Sequence, residues 1–265
     1  MKTILITGST DGIGKLTAIQ LAKKGHAVYM HGRNETKLLA AIKEVKQLTK
    51  NDNIDGFVAD FSKLEVVSKM VDEVKSKLST LDILINNAGI LKSKNEATET
   101  GHDIRFVVNY FAPYVLTNSL LPILRKGNNS RIINLSSAAQ SPVSMDALSG
   151  KVRLSAQAAY AQSKLALTMW SNKLAVQEKG IIVIPVNPGS LLNTNMVKEA
   201  YGQFWSSADK GADILTELAV SEKHTESNGK YFDNDKGTFS DAHNDAYNQE
   251  KINQMISETN KILKL

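Results

Sequence analysis

The run Lys2-Thr3-Ile4-Leu5-Ile6-Thr7-Gly8-Ser9-Thr10-Asp11-Gly12-Ile13-Gly14 is apolar and β-rich up to Thr7 and punctuated by glycine after it. Its first part reads as a short buried strand ending at Gly8. Beyond Gly14, residues 15–24 carry Leu16, Ile19 and Leu21 at helical spacing. Strand, glycine turn and helix, in that order, form the setting that a phosphate-binding loop needs. Gly8 permits a tight turn, Gly12 lets backbone approach a pyrophosphate, and Gly14 lets helix and strand pack closely. The helix start adds free N–H groups and a positive dipole end. A strand-to-helix turn with incidental glycines is the competing reading, and the flanking elements argue against it.

The second strand, His26 to His31, ends in His31-Gly32-Arg33-Asn34. In a dinucleotide-binding sheet this end reads the adenosine ribose: an acid there favours NAD, and an arginine accommodates a 2′-phosphate. No acid is present and Arg33 can pair with a phosphate, so NADP(H) is expected over NAD(H). Asn34 caps a helix running to about Thr49. A third strand, Ile54 to Ala59, ends at Asp60, and a helix covers residues 63–78. The fourth strand, Leu81 to Ile85, gives way to Asn86-Asn87-Ala88-Gly89-Ile90. Adjacent asparagines before small residues predict amides that brace a loop while its backbone nears a ligand.

Gly101 to about Lys126 is a long apolar helix with Asn109 among Phe106, Val107, Val108, Tyr110 and Phe111. A buried unpaired amide costs roughly 1–3 kcal/mol, so Asn109 either bonds to structure or serves a site. The fifth strand, Arg131 to Leu135, ends in Ser136-Ser137 and sets a hydroxyl at the C-terminal sheet edge, where ligands bind. Residues 138–159 are predicted as a loop with a short excursion. A helix holding Tyr160 then runs to about Lys179, with Leu165, Leu167, Met169, Leu174 and Val176 as core candidates. Ile181 to Val186 is the sixth strand, broken by Asn187-Pro188-Gly189-Ser190. Residues 191–210 are irregular and carry Tyr201, Phe204 and Trp205, as a lid or as a surface packing loop. A short strand after Asn228-Gly229 and a helix from Ala246 to Leu263 complete the chain. Alternating strands and helices without a long linker predict one doubly wound, mostly parallel α/β sheet of about seven strands in a single domain, 1–265.

Composition sets limits. There is no cysteine, which excludes disulfides, thiolate catalysis and cysteine-bound metal. No metal site is expected. The net charge of +5 arises from scattered charges with no run of five like signs, which reads as a solvated surface rather than a nucleic-acid patch. No stretch reaches the roughly 18 uninterrupted apolar residues of a membrane span, and the N-terminus lacks a signal-peptide core. A cytoplasmic protein without membrane or nucleic-acid partners is expected.

Tyr160-Ala161-Gln162-Ser163-Lys164 has the makings of a proton-transfer site. Residues four apart share a helix face, and a cation beside a phenol favours phenolate and lowers its pKa from about 10. About one Tyr-x-x-x-Lys is expected by chance in this composition, and Tyr247 with Lys251 forms a second.

Together these motifs resemble, in order and over essentially the whole chain, the short-chain dehydrogenase/reductase family, nearest to its retinol-dehydrogenase and carbonyl-reductase-like branches. Thr7 to Gly14 looks like the family's T-G-x-x-x-G-I-G loop, Asn86 to Gly89 like its N-N-A-G, and Pro188-Gly189 like its P-G. The resemblance implies a Rossmann fold and a catalytic tetrad of Asn109, Ser137, Tyr160 and Lys164. Tyr160 would be the general acid/base, Ser137 would bond the substrate oxygen, Lys164 would acidify the phenol and hold the nicotinamide ribose, and Asn109 would position a water. It further implies cofactor contacts from Gly8, Ser9, Thr10, Gly12, Ile13, Gly14, Asp60, Asn87, Ala88, Gly89, Pro188 and Gly189. The family's carboxamide-touching threonine falls on Asn193, and its role is carried to Thr194. Tyr247 and Lys251 lie outside this frame. An NADP(H)-dependent oxidoreductase acting on a small secondary alcohol or carbonyl is implied, as a homodimer or homotetramer. A nucleotide sensor without turnover and a 3-oxoacyl thioester reductase are the alternatives. The 138–159 segment is about ten residues longer than in many members and would lie over the substrate.

Overall fold

A computed structural model describes residues 1–265. In chain order the elements are β1 (Thr3–Ile6), α1 (Gly12–Lys23), β2 (Ala27–Gly32), α2 (Glu35–Thr49), β3 (Ile54–Val58), α3 (Leu64–Lys77) and β4 (Ile83–Asn86). There follow α4 (Ile104–Phe106), a π-helical turn (Val107–Phe111), α5 (Ala112–Leu124), β5 (Arg131–Leu135), α6 (Met145–Leu148), α7 (Ala156–Gln177) and β6 (Ile182–Asn187). The rest is α8 (Asn195–Tyr201), α9 (Ala208–Val220), β7 (Phe232–Asp233), β8 (Thr238–Phe239) and α10 (Gln249–Leu263).

The sheet runs β3-β2-β1-β4-β5-β6-β7-β8, parallel throughout except for β8. It has eight strands where about seven are predicted. The extra one, Thr238–Phe239, is too short to show alternation in sequence and is held by pairing to Phe232 and Asp233. Both faces are covered, which explains why the inner strands read as unbroken apolar runs. Leu5, Leu84, Ile132 and Val183 point into the core shared with α3, α5 and α7. Their neighbours Ile4, Ile83, Ile133 and Ile184 point into the core shared with α1, α2 and α9. Successive residues on a strand face opposite ways, so each strand feeds both layers.

The strand order turns at β1, between β2 and β4, which opens a crevice at the C-terminal sheet edge. The Ile104–Leu124 helical run is long and apolar enough to cross a bilayer, and 78% of its most apolar window is buried inside the protein. α10 docks through Tyr110 Oη and Thr259 Oγ1 (3.0 Å), and through Tyr114 Oη donating to Asn260 Oδ1 (2.7 Å).

Three local expectations need revision. Val176 is 68% exposed and is no core residue, because it sits in the last turn of α7. Residues 191–210 contain α8, started by Thr194, whose hydroxyl accepts the Val197 N–H, and ended by Gly202 in the left-handed region. The terminal helix starts at Gln249 and not at Ala246, since Asn248 caps it by accepting the Lys251 N–H at 3.0 Å.

Candidate active site

Two loops meet at the crevice and are bolted to each other. Thr7 Oγ1 accepts the Asn87 and Ala88 N–H groups, each at 3.0 Å. The Asn87 amide donates in return to the Thr7 and Gly8 carbonyls, each at 2.8 Å. Gly8 and Gly12 have φ of 62° and 55°, a region that favours glycine. A Cβ on Gly8 would stand 2.7 Å from Ala88 Cα, and one on Gly14 2.6 Å from the Gly8 carbonyl oxygen. Asp11 caps α1 by accepting the Gly12 N–H, and its carboxylate also accepts from Asn195 of α8.

His31, which the sequence gives no reason to single out, holds this loop from beneath. Its Nδ1 accepts the Gly8 N–H at 3.0 Å and its Nε2 donates to the Ala59 carbonyl at 2.9 Å. Burial lowers its pKa to about 4, so the ring is neutral, as an accepting Nδ1 requires. Ser9 is fully buried, and its hydroxyl is committed to Ile6 O and the His31 N–H. Its side chain is therefore turned away from the crevice, which leaves only backbone for a ligand. Ile13 turns toward Gly211 of α9. Thr10 lies against Gly32, and Arg33 beyond it is exposed with no ion pair. Asp60 Oδ1 accepts from the Ser62 N–H and hydroxyl.

Across the crevice, Ser155 caps α7 and so starts the helix that carries Tyr160 and Lys164 on one face. Lys164 is 4% exposed; its Nζ donates to the Leu135 carbonyl at 2.7 Å and stands 5.6 Å from the centre of the Tyr160 ring. Burial lowers the Lys164 pKa from 10.5 to about 8. The Tyr160 phenol shifts upward. Burial raises it, a hydrogen bond with Ser137 opposes the rise, and the Tyr201 phenol of α8 adds to it. The direction is upward, opposite to the acidification expected of the lysine. Ser137 Oγ also accepts the Ala139 N–H at 3.1 Å.

Asn109 occupies the π-helical turn, where one extra residue per turn interrupts the helical ladder, a feature frequent at functional sites. Its Oδ1 accepts the Ile90 N–H at 2.8 Å, and its Nδ2 donates to Ile90 O and Ser163 Oγ, both at 3.0 Å. Ser163 Oγ donates to Tyr160 O at 2.7 Å, linking the two helices. A Cβ on Gly89 would lie 3.3 Å from Asn109 Oδ1 and 3.4 Å from Lys164 Nζ, so these groups converge on the N-N-A-G loop. Asn109, Ser137, Tyr160 and Lys164 thus form one connected cluster.

The turn after β6 closes the site. Asn187 Oδ1 accepts the Gly189 N–H at 3.2 Å and Asn234 Nδ2 donates to Pro188 O at 2.8 Å. The Thr194 hydroxyl is engaged in capping α8, while Asn193 Oδ1 is buried with no hydrogen-bond partner. The 138–159 segment is tied to α7 by the Ser144 N–H, which donates to Gln162 Oε1 at 2.9 Å.

Residues 2–203 match the short chain dehydrogenase family. The chain belongs to that family. Among its relatives, human retinol dehydrogenase 13 is 33% identical over 88% of this chain and 76% of its own length. Human polyprenol dehydrogenase is 31% identical over 97% of this chain and 84% of its own. L-Sorbose reductase from Gluconobacter frateurii, complexed with NADPH and L-sorbose, superposes with a TM-score of 0.71 at 25% identity. That match covers 88% of this chain and 94% of the other. The single Rossmann-like domain and oxidoreductase class follow from this membership.

Proposed function

We propose that this chain is an NADP(H)-dependent oxidoreductase that interconverts an alcohol, primary or secondary, and its carbonyl, with Tyr160 as general acid/base. The observation that carries the reading is the buried Lys164 ammonium over the Tyr160 ring, with Ser137 near enough to the phenol to oppose the upward shift of its pKa. The residues present fit the cofactor. Gly8, Gly12 and Gly14 leave backbone bare at the start of α1, Arg33 is exposed and unpaired, and Asn193 Oδ1 is a buried acceptor without a donor. Gly8 to Gly14 would hold the pyrophosphate, with Arg33 at the 2′-phosphate, Asp60 at the adenine and Asn87 to Gly89 beside the nicotinamide ribose. Asn193, rather than the capping Thr194, is the better partner for a carboxamide N–H.

When bound, NADPH supplies the hydride. Tyr160 Oη, kept protonated by burial, donates the proton to the substrate oxygen, and Ser137 Oγ hydrogen-bonds the same oxygen. Lys164 would hold the ribose of the bound cofactor, and Asn109 fixes the Ile90 backbone and Ser163. An apolar substrate is favoured, since retinol and polyprenol dehydrogenases are relatives and Tyr201, Phe204 and Trp205 lie exposed in and just after α8. We take residues 138–159 and 191–210 as the substrate-side insert and lid.

NADPH oxidation against a panel of retinoid and polyisoprenoid aldehydes, ketoses and 3-oxoacyl thioesters tests the reading. Fastest turnover of an apolar aldehyde is expected; tight NADPH binding with no turnover of any compound would make the chain a nucleotide sensor. Arg33→Ala should weaken NADPH binding roughly tenfold or more, the loss of a charge-assisted contact, and NADH binding far less. Equal losses, by fluorescence titration, would remove Arg33 from cofactor choice.

A further inference from the structure

The family match ends at residue 203, yet the chain beyond it reaches back into the site. Tyr231 is 4% exposed, and its Oη donates to the Ser137 carbonyl at 3.0 Å. Gln140 Nε2 donates to the same oxygen at 2.8 Å, and Gln140 Oε1 accepts the His243 N–H at 3.1 Å. Neither donor touches the Ser137 hydroxyl. Both fix the peptide that follows it, one residue beyond Ser136, whose N–H donates to Val186 O at 2.8 Å as the last link of β5 to β6. Holding that peptide fixes the Cα–Cβ direction of Ser137 and so the arc available to Oγ. Positional errors of about 1 Å at a reacting centre cost on the order of 100-fold in rate, so such a restraint has kinetic weight.

The same short segment also holds the turn after β6. Asp233 Oδ1 accepts from Asn187 Nδ2 at 2.9 Å, Asp235 Oδ2 accepts from that amide at 2.9 Å, and Asp235 Oδ1 accepts the Ser190 N–H at 2.8 Å. Asn234 holds Pro188 O, as described above. Phe232 anchors the segment by pairing with Val186 and Phe239 and by packing edge-on to the Phe239 ring, with centroids 5.0 Å apart. Residues 231–235 therefore tie the end of β5 to the turn after β6.

We infer that Tyr231 is a positioning residue for the Ser137 hydroxyl, and that residues 231–235 set the spacing between that hydroxyl and the Pro188-Gly189 turn. The inference rests on the role given to Ser137 under the proposed function. Burial beside Asp233 and Asp235 pushes the Tyr231 phenol up, so it remains a donor across the working pH range.

The test is a double-mutant cycle in the full chain, in single turnover with NADPH and the fastest carbonyl of the panel. Tyr231→Phe should lower the rate roughly tenfold while KM and the NADPH dissociation constant stay within about twofold. Gln140→Met, which removes the other donor together with the acceptor of the His243 N–H, should act in the same direction. In a Ser137→Ala background neither change should lower the rate further, because there is no hydroxyl left to position. A loss repeated undiminished in that background would mean a merely structural role and overturn the inference. Ser137→Ala crippled while both positioning variants run at wild-type rate would overturn it alone. Ser137→Ala at wild-type rate would overturn the reading of the site, and this inference with it.

Discussion

Tyr160 and Lys164 stand inside the 22-residue α7, whereas Tyr247 closes a 3-10 turn and Lys251 lies beyond the cap in the first turn of α10. The first pair shares a helix face; the second is split by Asn248, so equal spacing does not give equal geometry. Lys164 is buried and bonded to a strand carbonyl, and its pKa falls to about 8. Lys251 is half-exposed and pairs with Asp245 at 2.8 Å. Tyr160 lies near Ser137 at the sheet edge, while Tyr247, 45% exposed, accepts the Ala242 N–H at 2.9 Å. The contrast shows that the electrostatics of this motif come from what surrounds it. A cation in water beside a phenol in water is an ordinary surface, and the same two groups packed against β5 have both pKa values shifted by burial.

Tyr160→Phe tests this contrast most severely. It should lower turnover by about 100- to 10,000-fold, the usual worth of general acid–base catalysis, with NADPH affinity near wild type. Steady-state rates and cofactor titration check both halves, and retained activity would remove Tyr160 from the chemistry. Next comes the cost of keeping Lys164 dry. Its pKa is 10.5 when unfolded and about 8 when folded. The unfolded state therefore binds more protons between those values, and wild-type stability rises with pH across that window. Lys164→Met should raise unfolding stability by up to about 3 kcal/mol below pH 8, and the gain should shrink between pH 8 and 10.5. Thermal melts of both proteins over that range would show it; a gain independent of pH would mean the lysine is folded without penalty. Lys251→Met removes only an exposed ion pair and should cost about 1 kcal/mol or less with no change in rate. Smallest of all, Tyr247→Phe should leave turnover within about twofold of wild type, since its phenol lies outside the crevice. A large rate loss from either surface variant would erase the distinction between the copies.

Elements governed by local rules were legible in the chain. β1, the Gly8–Gly14 turn and α1 announce themselves because apolar runs, positive φ at glycine and helical spacing act within a few residues. Asn34, with a capping side chain ahead of a periodic run, did the same for α2. Contacts between distant residues were not legible. His31 reads as an unremarkable strand residue until Gly8 and Ala59 are seen to flank its ring. Tyr231 meets Ser137 across 94 positions, and no periodicity marks either end. The π-helical turn at Asn109 escapes because residues 107–111 read as a plain continuation of the apolar helix. Thr194 and Asn193 show a finer limit: spacing could not separate them, whereas the start of α8 engages one and leaves the other's oxygen without a donor.

Sequence by itself determined the doubly wound sheet and the glycine loop, and it singled out Tyr160 over Tyr247 as the candidate, since motif order along the chain places only the former between Ser137 and Pro188-Gly189. Tertiary structure alone decided the electrostatics of that site. From spacing, a lysine four residues on should acidify the phenol. In the fold, β5 and α7 close around both groups, and desolvation lowers the lysine and raises the tyrosine. Charge–charge attraction can be anticipated from residue types; the loss of water around them depends on every element packed nearby.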